Sequence, residues 1–278
     1  MQLRKTELKN FAHRQTKTSV VNLRIVIALW RKIKEIYMKI NFSLKQFFPQ
    51  KWQVKLPVML FAVVMMGVTL SVLIEIGWGT DPATFMNYHV AALLGTDNIG
   101  LIQIMDYAVF LIFVILFGVQ HIGLGSIANM FFIGFVSDFS RWIWKLIGFH
   151  QFLQNAELLP KAGIFAFILL FFVTACAIYM NSELGIAPYD AVPAIISDRF
   201  VKLPFFVVRI IFDYSSITIG LVAACFAKNN IPNPVATFCG IGLRTNIFGS
   251  ICMALLLGPA ISLVGKFMKK IIPVFREN

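Results

Sequence analysis

The stretch Glu75-Ile76-Gly77-Trp78-Gly79-Thr80-Asp81-Pro82 ends a long apolar run, and a related stretch ends another, Glu183-Leu184-Gly185-Ile186-Ala187-Pro188-Tyr189-Asp190. Two shorter landmarks recur in the same order along the chain: Asp106-Tyr107 with Asp213-Tyr214, and Gly125-Ser126-Ile127 with Gly249-Ser250-Ile251. Each unit therefore places acidic residues at matching positions within apolar sequence. Duplicated hydrophobic units of this kind are typical of membrane transporters, whose folds are built from structural repeats.

The composition of the chain indicates a membrane protein. Its 278 residues are 58% hydrophobic and only 14% charged, with a mean hydropathy of +0.78. A soluble domain of this length carries far more charge and less apolar surface. The sequence therefore predicts an all-α protein that is embedded in the bilayer.

Six segments are long and apolar enough to predict membrane-spanning helices. Such a helix needs about 20 apolar residues to cross about 30 Å of hydrocarbon. The six segments are 57–76, 99–119, 122–147, 161–181, 204–227 and 247–267.

Short segments at 82–94 and 188–200 follow the first and fourth spans and begin near Gly and Pro. They predict either re-entrant helices or helices in the membrane interface. The insertion at 228–246 is compatible with a loop, a re-entrant hairpin or part of a bent final helix.

The two repeats are predicted to have opposite orientations in the membrane. Residues 57–147 form the first three-helix repeat, and residues 161–267 form the second. Because three spans is an odd number, the second repeat enters the bilayer from the opposite side. The expected architecture is a 3+3 inverted repeat with a pseudo-two-fold axis in the membrane plane.

The net charge of +12 is concentrated at the ends of the chain. Residues 1–55 contain thirteen of the 25 Lys and Arg residues but only two of the 13 acids, and residues 268–278 are also basic. This distribution predicts cytoplasmic termini and contact between the N-terminal arm and anionic lipid headgroups, with no nucleic-acid partner. The 77–98 loop, which has no Lys or Arg, is predicted outside. The 140–161 loop goes against this topology, since it carries three basic residues.

Acidic residues inside or at the ends of the spans are the candidate substrate- or ion-binding residues. Asp106 and Asp213 lie within spans, where an unpaired charge costs a few kcal/mol. Arg209 stands four residues before Asp213, so the two can form either a structural ion pair or part of a site. Asp106 has no such local partner, which makes it the better candidate for a proton or ion site.

Glu75 and Glu183 stand at span ends, and each is compatible with a solvated boundary residue or with a gate residue. Asp190 is compatible with a helix cap as well as with a site residue. The complete candidate set is Asp106, Asp213, Arg209, Glu75, Glu183 and Asp190.

The sequence contains no catalytic motif. A His-x-x-x-His pair, a Walker-type phosphate loop and a serine elbow are all missing from it, and its four Cys residues are isolated from one another. We therefore expect no enzymatic activity, no cofactor and no motif-based metal site.

The motif Gly185-Ile186-Ala187-Pro188-Tyr189-Asp190, the spacing of Arg209 and Asp213, and the closing Gly249-Ser250-Ile251 resemble the YczE/YyaS/YitT group of bacterial integral membrane proteins. The likeness covers residues 57–265. The group has a Gly-x-x-x-aromatic-Asp motif after a hydrophobic span. The first repeat of this chain departs from that motif, since Asp81-Pro82 stands where the group has the aromatic-Asp pair. The resemblance implies a bacterial cytoplasmic (inner) membrane location, but it supplies no substrate.

Transport is the function that the repeated carboxylates favour. The expected protein is a small secondary transporter or permease component for an unidentified small solute or ion. The alternative is a non-transporting membrane scaffold or regulator of a partner enzyme complex. A homo-oligomer is a possible state in either case.

Overall fold

The computed structural model describes residues 47–227, 231 and 234–272 of the chain. Most of the basic N-terminal arm and most of the C-terminal tail lie outside the described residues. The predictions on their structure and lipid contact are therefore untested.

The described residues are mostly helical. The helices are α1 (Trp52–Ile76), α2 (Pro82–Leu93), α3 (Ile99–Phe117), α4 (Leu124–Leu146), α5 (Phe149–Asn155), α6 (Leu158–Asn181), α7 (Pro188–Ile195), α8 (Phe205–Phe226) and α9 (Ile247–Ile271). A 3₁₀ turn (Val119–His121) precedes α4, and a π-helical turn (Ile196–Phe200) extends α7.

Polar and glycine residues set the boundaries of several helices. Gly77 ends α1 with a left-handed φ of 73°. Asp81 caps α2, accepting the Thr84 N–H at 3.1 Å, and Pro82 occupies the first turn, where a missing N–H costs nothing. Asn246 caps α9 by accepting the Phe248 N–H at 2.9 Å.

Within the described residues, five helices are long and apolar enough to cross a membrane: α1, α3, α6, α8 and α9. The chain is thus a multi-pass membrane protein. The third predicted span, 122–147, does form a helix, but α4 is not in this set. It includes buried polar residues, namely Ser126, Asn129, Ser137 and Ser140. The six predicted spans are therefore matched by five.

Helix α1 lies in the centre of the main hydrophobic cluster, which it shares with α4 and α6. Gly67 allows α1 and α4 to approach closely, since a Cβ there would lie 2.8 Å from Cβ of Val136. Small residues let helix backbones pack tightly where the hydrophobic effect between helices is weak.

The short helices α2 and α7 both begin beside the middle of α3. Ala83 in the first turn of α2, together with Ala187 and Tyr189 at the start of α7, packs around Tyr107. The chain therefore turns inwards after α1 and after α6, and each short helix has its N-terminal end in the interior.

From Tyr107 the two short helices run towards opposite ends of α3. Helix α2 ends at Leu93, and residues 94–98 connect it directly to the start of α3. Helix α7 leads instead into the π-helical turn, where the Phe200 ring packs 5.2 Å from that of Phe117 at the end of α3.

The insertion before α9 contains a small β-hairpin. Strand β1 (Ala236–Phe238) pairs antiparallel with β2 (Ile241–Leu243), and Thr237 lies opposite Gly242. Its left-handed turn uses Cys239 (φ 50°) and Gly240 (φ 78°). The described part of this segment is therefore not part of a bent final helix, since α9 begins only after the β-hairpin.

Candidate functional site

The loop after α1 contacts the start of α9 through glycine backbones. A Cβ at Gly79 would lie 2.6 Å from the carbonyl carbon of Gly249, so a side chain there would clash. The Thr80 N–H donates to Oγ of Ser250 at 3.1 Å. This places the first repeated acidic stretch directly against the Gly-Ser landmark of the second half.

The loop after α6 makes the reciprocal contact with the start of α4. The Gly125 N–H donates to the Leu184 carbonyl at 2.7 Å, and a Cβ at Gly185 would lie 2.8 Å from Oγ of Ser126. The second repeated stretch therefore packs on the Gly-Ser landmark of the first half. In both cases, therefore, the acidic stretch of one half packs on the Gly-Ser landmark of the other half.

Arg209 links α8 to α7 through two carboxylates. Its Nε is 3.0 Å from Oδ2 of Asp213, and its Nη1 is 2.5 Å from Oδ1 of Asp190. The Tyr189 hydroxyl donates to Oδ1 of Asp213 at 2.8 Å, and its ring lies 5.2 Å below the guanidinium carbon. The ion pair expected from the Arg209–Asp213 spacing is present, while Asp190 binds Arg209 and does not cap its helix.

Asp106 lies near the middle of α3, next to the side chain of Asn87 in α2. Its Oδ2 atom is buried and accepts no hydrogen bond from the described residues, and the same is true of Oδ1 of Asn87. Asn87 is only 2% exposed. The Asn87 amide is within hydrogen-bonding reach of the Asp106 carboxylate, and each of the two side chains keeps one buried oxygen without a donor among the described residues.

Glu75 is buried at the end of α1 and bound from several sides. Arg141 donates to it from Nε at 3.0 Å, and Nδ1 of His150 contacts its other carboxylate oxygen. The Gln154 side chain donates to its backbone oxygen at 3.2 Å. A solvated boundary role therefore does not describe Glu75 in this structure.

Tyr88 in α2 lies between two arginines close to Glu75. The guanidinium carbons of Arg141 and Arg244 are 5.5 Å and 5.2 Å from its ring centre. Arg244 also binds Asp97 at 2.9 Å. A pocket of about 250 Å³ opens beside this group, lined by Asp97, Asn98, Asp138, Arg141, Trp142 and Lys145.

His89 joins α2 to the segment before α9. Its ring is fully buried; Nδ1 is 2.8 Å from the Phe85 carbonyl, and Nε2 accepts the Arg244 N–H at 3.2 Å. Since Nε2 is an acceptor, the ring is neutral. Burial lowers the pKa of His89 from 6.5 to about 4.

Glu183 occupies the opposite end of the molecule from Glu75. It binds Nζ of Lys55 at 2.7 Å, but its side chain is 48% exposed. The two repeated glutamates therefore both form ion pairs with α1 or α4, although only Glu75 is buried. The ion pair of Lys55 connects the start of α1 to the end of α6.

Sequence reasoning missed Asn87, Tyr88, Arg141 and Arg244 as members of these groups. Arg141 had a visible signal, since it is a basic residue in a loop predicted to lie outside. In the structure its largely covered side chain pairs with the buried Glu75, so that its charge is matched. Asn87 and Tyr88 carried no such signal because their partners are distant in sequence.

Comparison with known proteins gives a family and no function. A family model described as "Family of unknown function (DUF6198)" matches residues 54–266. The chain belongs to this family. No curated protein and no solved structure matches it. The DUF6198 match does not confirm the resemblance to the YczE/YyaS/YitT group, which stays a prediction.

Proposed function

We propose that this DUF6198 protein is a small secondary transporter or permease component for a small solute or ion, without enzymatic activity. The observation that carries the proposal is the meeting of the two short helices at Tyr107, in the middle of α3. In known transporters, discontinuous helices of this kind place a binding site near the midplane of the bilayer.

The proposed architecture has six spans, with α4 as the sixth. The outward face of α4 is mostly apolar, with the exposed Lys145 near its end, and its Ser and Asn residues are buried. Its mean hydropathy is therefore low although most of its outer face suits lipid. Exposed on this helix are Ile127, Phe131, Phe132, Phe135, Phe139, Trp142 and Leu146. Polar residues on a spanning helix are expected to face the interior of the bundle.

The arrangement of contacts favours an inverted repeat. Helices α2 and α7 leave Tyr107 towards opposite ends of α3, so that they occupy opposite halves of the bilayer if α3 spans it. The exchanged contacts, Gly79 on Gly249 and Gly185 on Gly123, support the same relation. A two-fold axis between the halves produces such reciprocal pairs.

The interior between the halves is rich in carboxylates. Asp81, Asp106 and Asp190 all lie close enough to Tyr107 to interact with it electrostatically. Arg209 is bound to Asp190 and Asp213, so it neutralises only part of this charge. The proposed substrate or coupling ion therefore carries positive charge or includes a positive group.

The proposed location is the bacterial cytoplasmic membrane, with the basic N-terminal arm in contact with anionic lipid.

Uptake by the reconstituted protein tests this function. Untargeted metabolite profiling of a deletion strain would nominate solutes, and proteoliposomes with wild-type protein would be assayed for uptake of each one. We expect uptake above that of empty liposomes, loss of uptake in Asp106→Asn and wild-type uptake in Asp198→Asn, a change at an exposed carboxylate. If none of the nominated solutes accumulates, a scaffold role replaces the transport proposal. If Asp106→Asn retains uptake and its pH dependence, Asp106 is not the proton or ion site.

A further inference from the structure

A pair of buried oxygen atoms on α2 and α3 is not explained by the packing of the protein. Oδ1 of Asn87 and Oδ2 of Asp106 accept no hydrogen bond from the described residues. A buried polar atom without a partner costs about 1–3 kcal/mol, and a charged one costs more. Two such atoms on adjacent side chains therefore indicate a ligand that both can bind.

The chemistry of the two atoms restricts this ligand to a cation or a hydrogen-bond donor. A carboxylate oxygen and an amide carbonyl oxygen both offer lone pairs and no proton. Oxygen atoms of this kind are the ligands that hard cations prefer. An anion or a hydrogen-bond acceptor would be repelled at this position.

The charge of the pair favours a monovalent cation. Asp106 supplies one negative charge and Asn87 supplies none, so that one positive charge leaves the group neutral. Burying a second, uncompensated charge in the membrane interior would be costly.

Neighbouring polar groups extend the site across the bundle. Gln103, one turn before Asp106 in α3, donates to the Asn129 backbone oxygen in α4 at 3.3 Å. Oδ1 of Asn129 is also buried and accepts no hydrogen bond from the described part of the chain. The interior near Asp106 thus has a polar layer that can support a cation and its remaining water ligands.

We infer that Asp106 and Asn87 together bind a small monovalent cation, of which Na⁺ is the probe, and that this cation is the coupling ion of the protein. The coupling role rests on the proposed transport function, whereas the binding site does not. Asp106 supplies the compensating charge. Asn87 supplies a neutral oxygen from a second helix, so binding also fixes α2 against α3.

Stability of the purified protein in detergent tests the site without any transport assay. Melting temperature is measured against NaCl, with choline chloride keeping the ionic strength constant, and the Na⁺ affinity is checked by calorimetry. We expect a saturable rise of the melting temperature in wild type, because a ligand that binds only the folded state stabilises it. Asp106→Asn and Asn87→Ala should each weaken Na⁺ binding at least about tenfold, while Asp198→Asn should bind as wild type does.

Three outcomes would overturn the inference. They are a wild type that shows no saturable response to Na⁺, variants that bind Na⁺ as wild type does, and a stabilisation that follows pH in choline chloride without any effect of Na⁺. The last result would assign a proton to Asp106. The wild-type titration decides the question even if a variant fails to fold. Na⁺ binding without solute uptake would keep the site and overturn transport, and uptake without Na⁺ binding would do the reverse.

Discussion

The guanidinium of Arg209 lies 3.0 Å from the carboxylate of Asp213, one turn further along the same helix. Both side chains are largely buried, and the second arm of the guanidinium reaches Asp190 in the neighbouring short helix. The planar fork of Arg presents five N–H donors in a fixed geometry, so it can hold two carboxylates at once in directions that the compact ammonium of Lys does not reproduce. Arg209 therefore attaches the start of α7 to α8.

Removing this guanidinium should destabilise the fold. Arg209→Ala leaves the buried Asp213 and the half-buried Asp190 without their cation, and we expect a loss of about 3–5 kcal/mol. Arg209→Lys should lie between this variant and wild type. Unfolding in detergent measures the loss, with Lys202→Ala as a control that removes an exposed cation. Equal stability of Arg209→Ala and Lys202→Ala would show that the ion pairs contribute nothing.

Two glycines of α9 should respond in opposite ways to the same substitution. Gly249→Ala places a methyl group against the Trp78 carbonyl and should strongly lower expression and melting temperature. Gly258→Ala, in the same helix, has nothing within 4 Å and should leave stability unchanged or slightly raised. Fluorescence-detected size exclusion compares the two. A tolerated Gly249→Ala would contradict the tight contact between the halves.

The two short helices should end on opposite sides of the membrane. We expect Asp97→Cys to be labelled from outside and Asp198→Cys from the cytoplasm, in intact cells and in inverted vesicles. The side chain of Asp97 is 78% exposed, and the background would lack Cys176, Cys225, Cys239 and Cys252. Labelling of both positions from one side would rule out the inverted arrangement.

His89 should make the protein less stable in mild acid. Its pKa falls from 6.5 to about 4 on folding, so as the pH drops below 6.5 the unfolded state binds a proton that the folded state excludes. Stability is therefore lost as the pH falls from 6.5 towards 4, by up to about 3 kcal/mol since one pKa unit corresponds to about 1.4 kcal/mol. Melting of wild type and His89→Gln between pH 4 and about 7.5 measures this. Parallel pH profiles would show that His89 does not titrate.

The apolar runs predict five spans because the requirement for about 20 apolar residues is local and can be read from composition. Helix α4 does not meet that criterion because its buried polar residues lower its mean hydropathy, although most of its outer face is apolar. The repeated acidic stretches also mark the two inward turns, since Gly77 ends α1 with a left-handed backbone and Gly185 supplies a positive φ in the loop after α6.

The sequence by itself determined a multi-pass helical protein, its three repeated landmarks and the Arg209–Asp213 pair, because each depends on residues near one another in the chain. Tertiary structure alone decided that Asn87 faces Asp106, that Glu75 is buried by Arg141 and His150, and that Gly79 rests on Gly249. These contacts join residues on different helices. Composition sets which residues are buried, but the packing of the helices decides which buried groups meet.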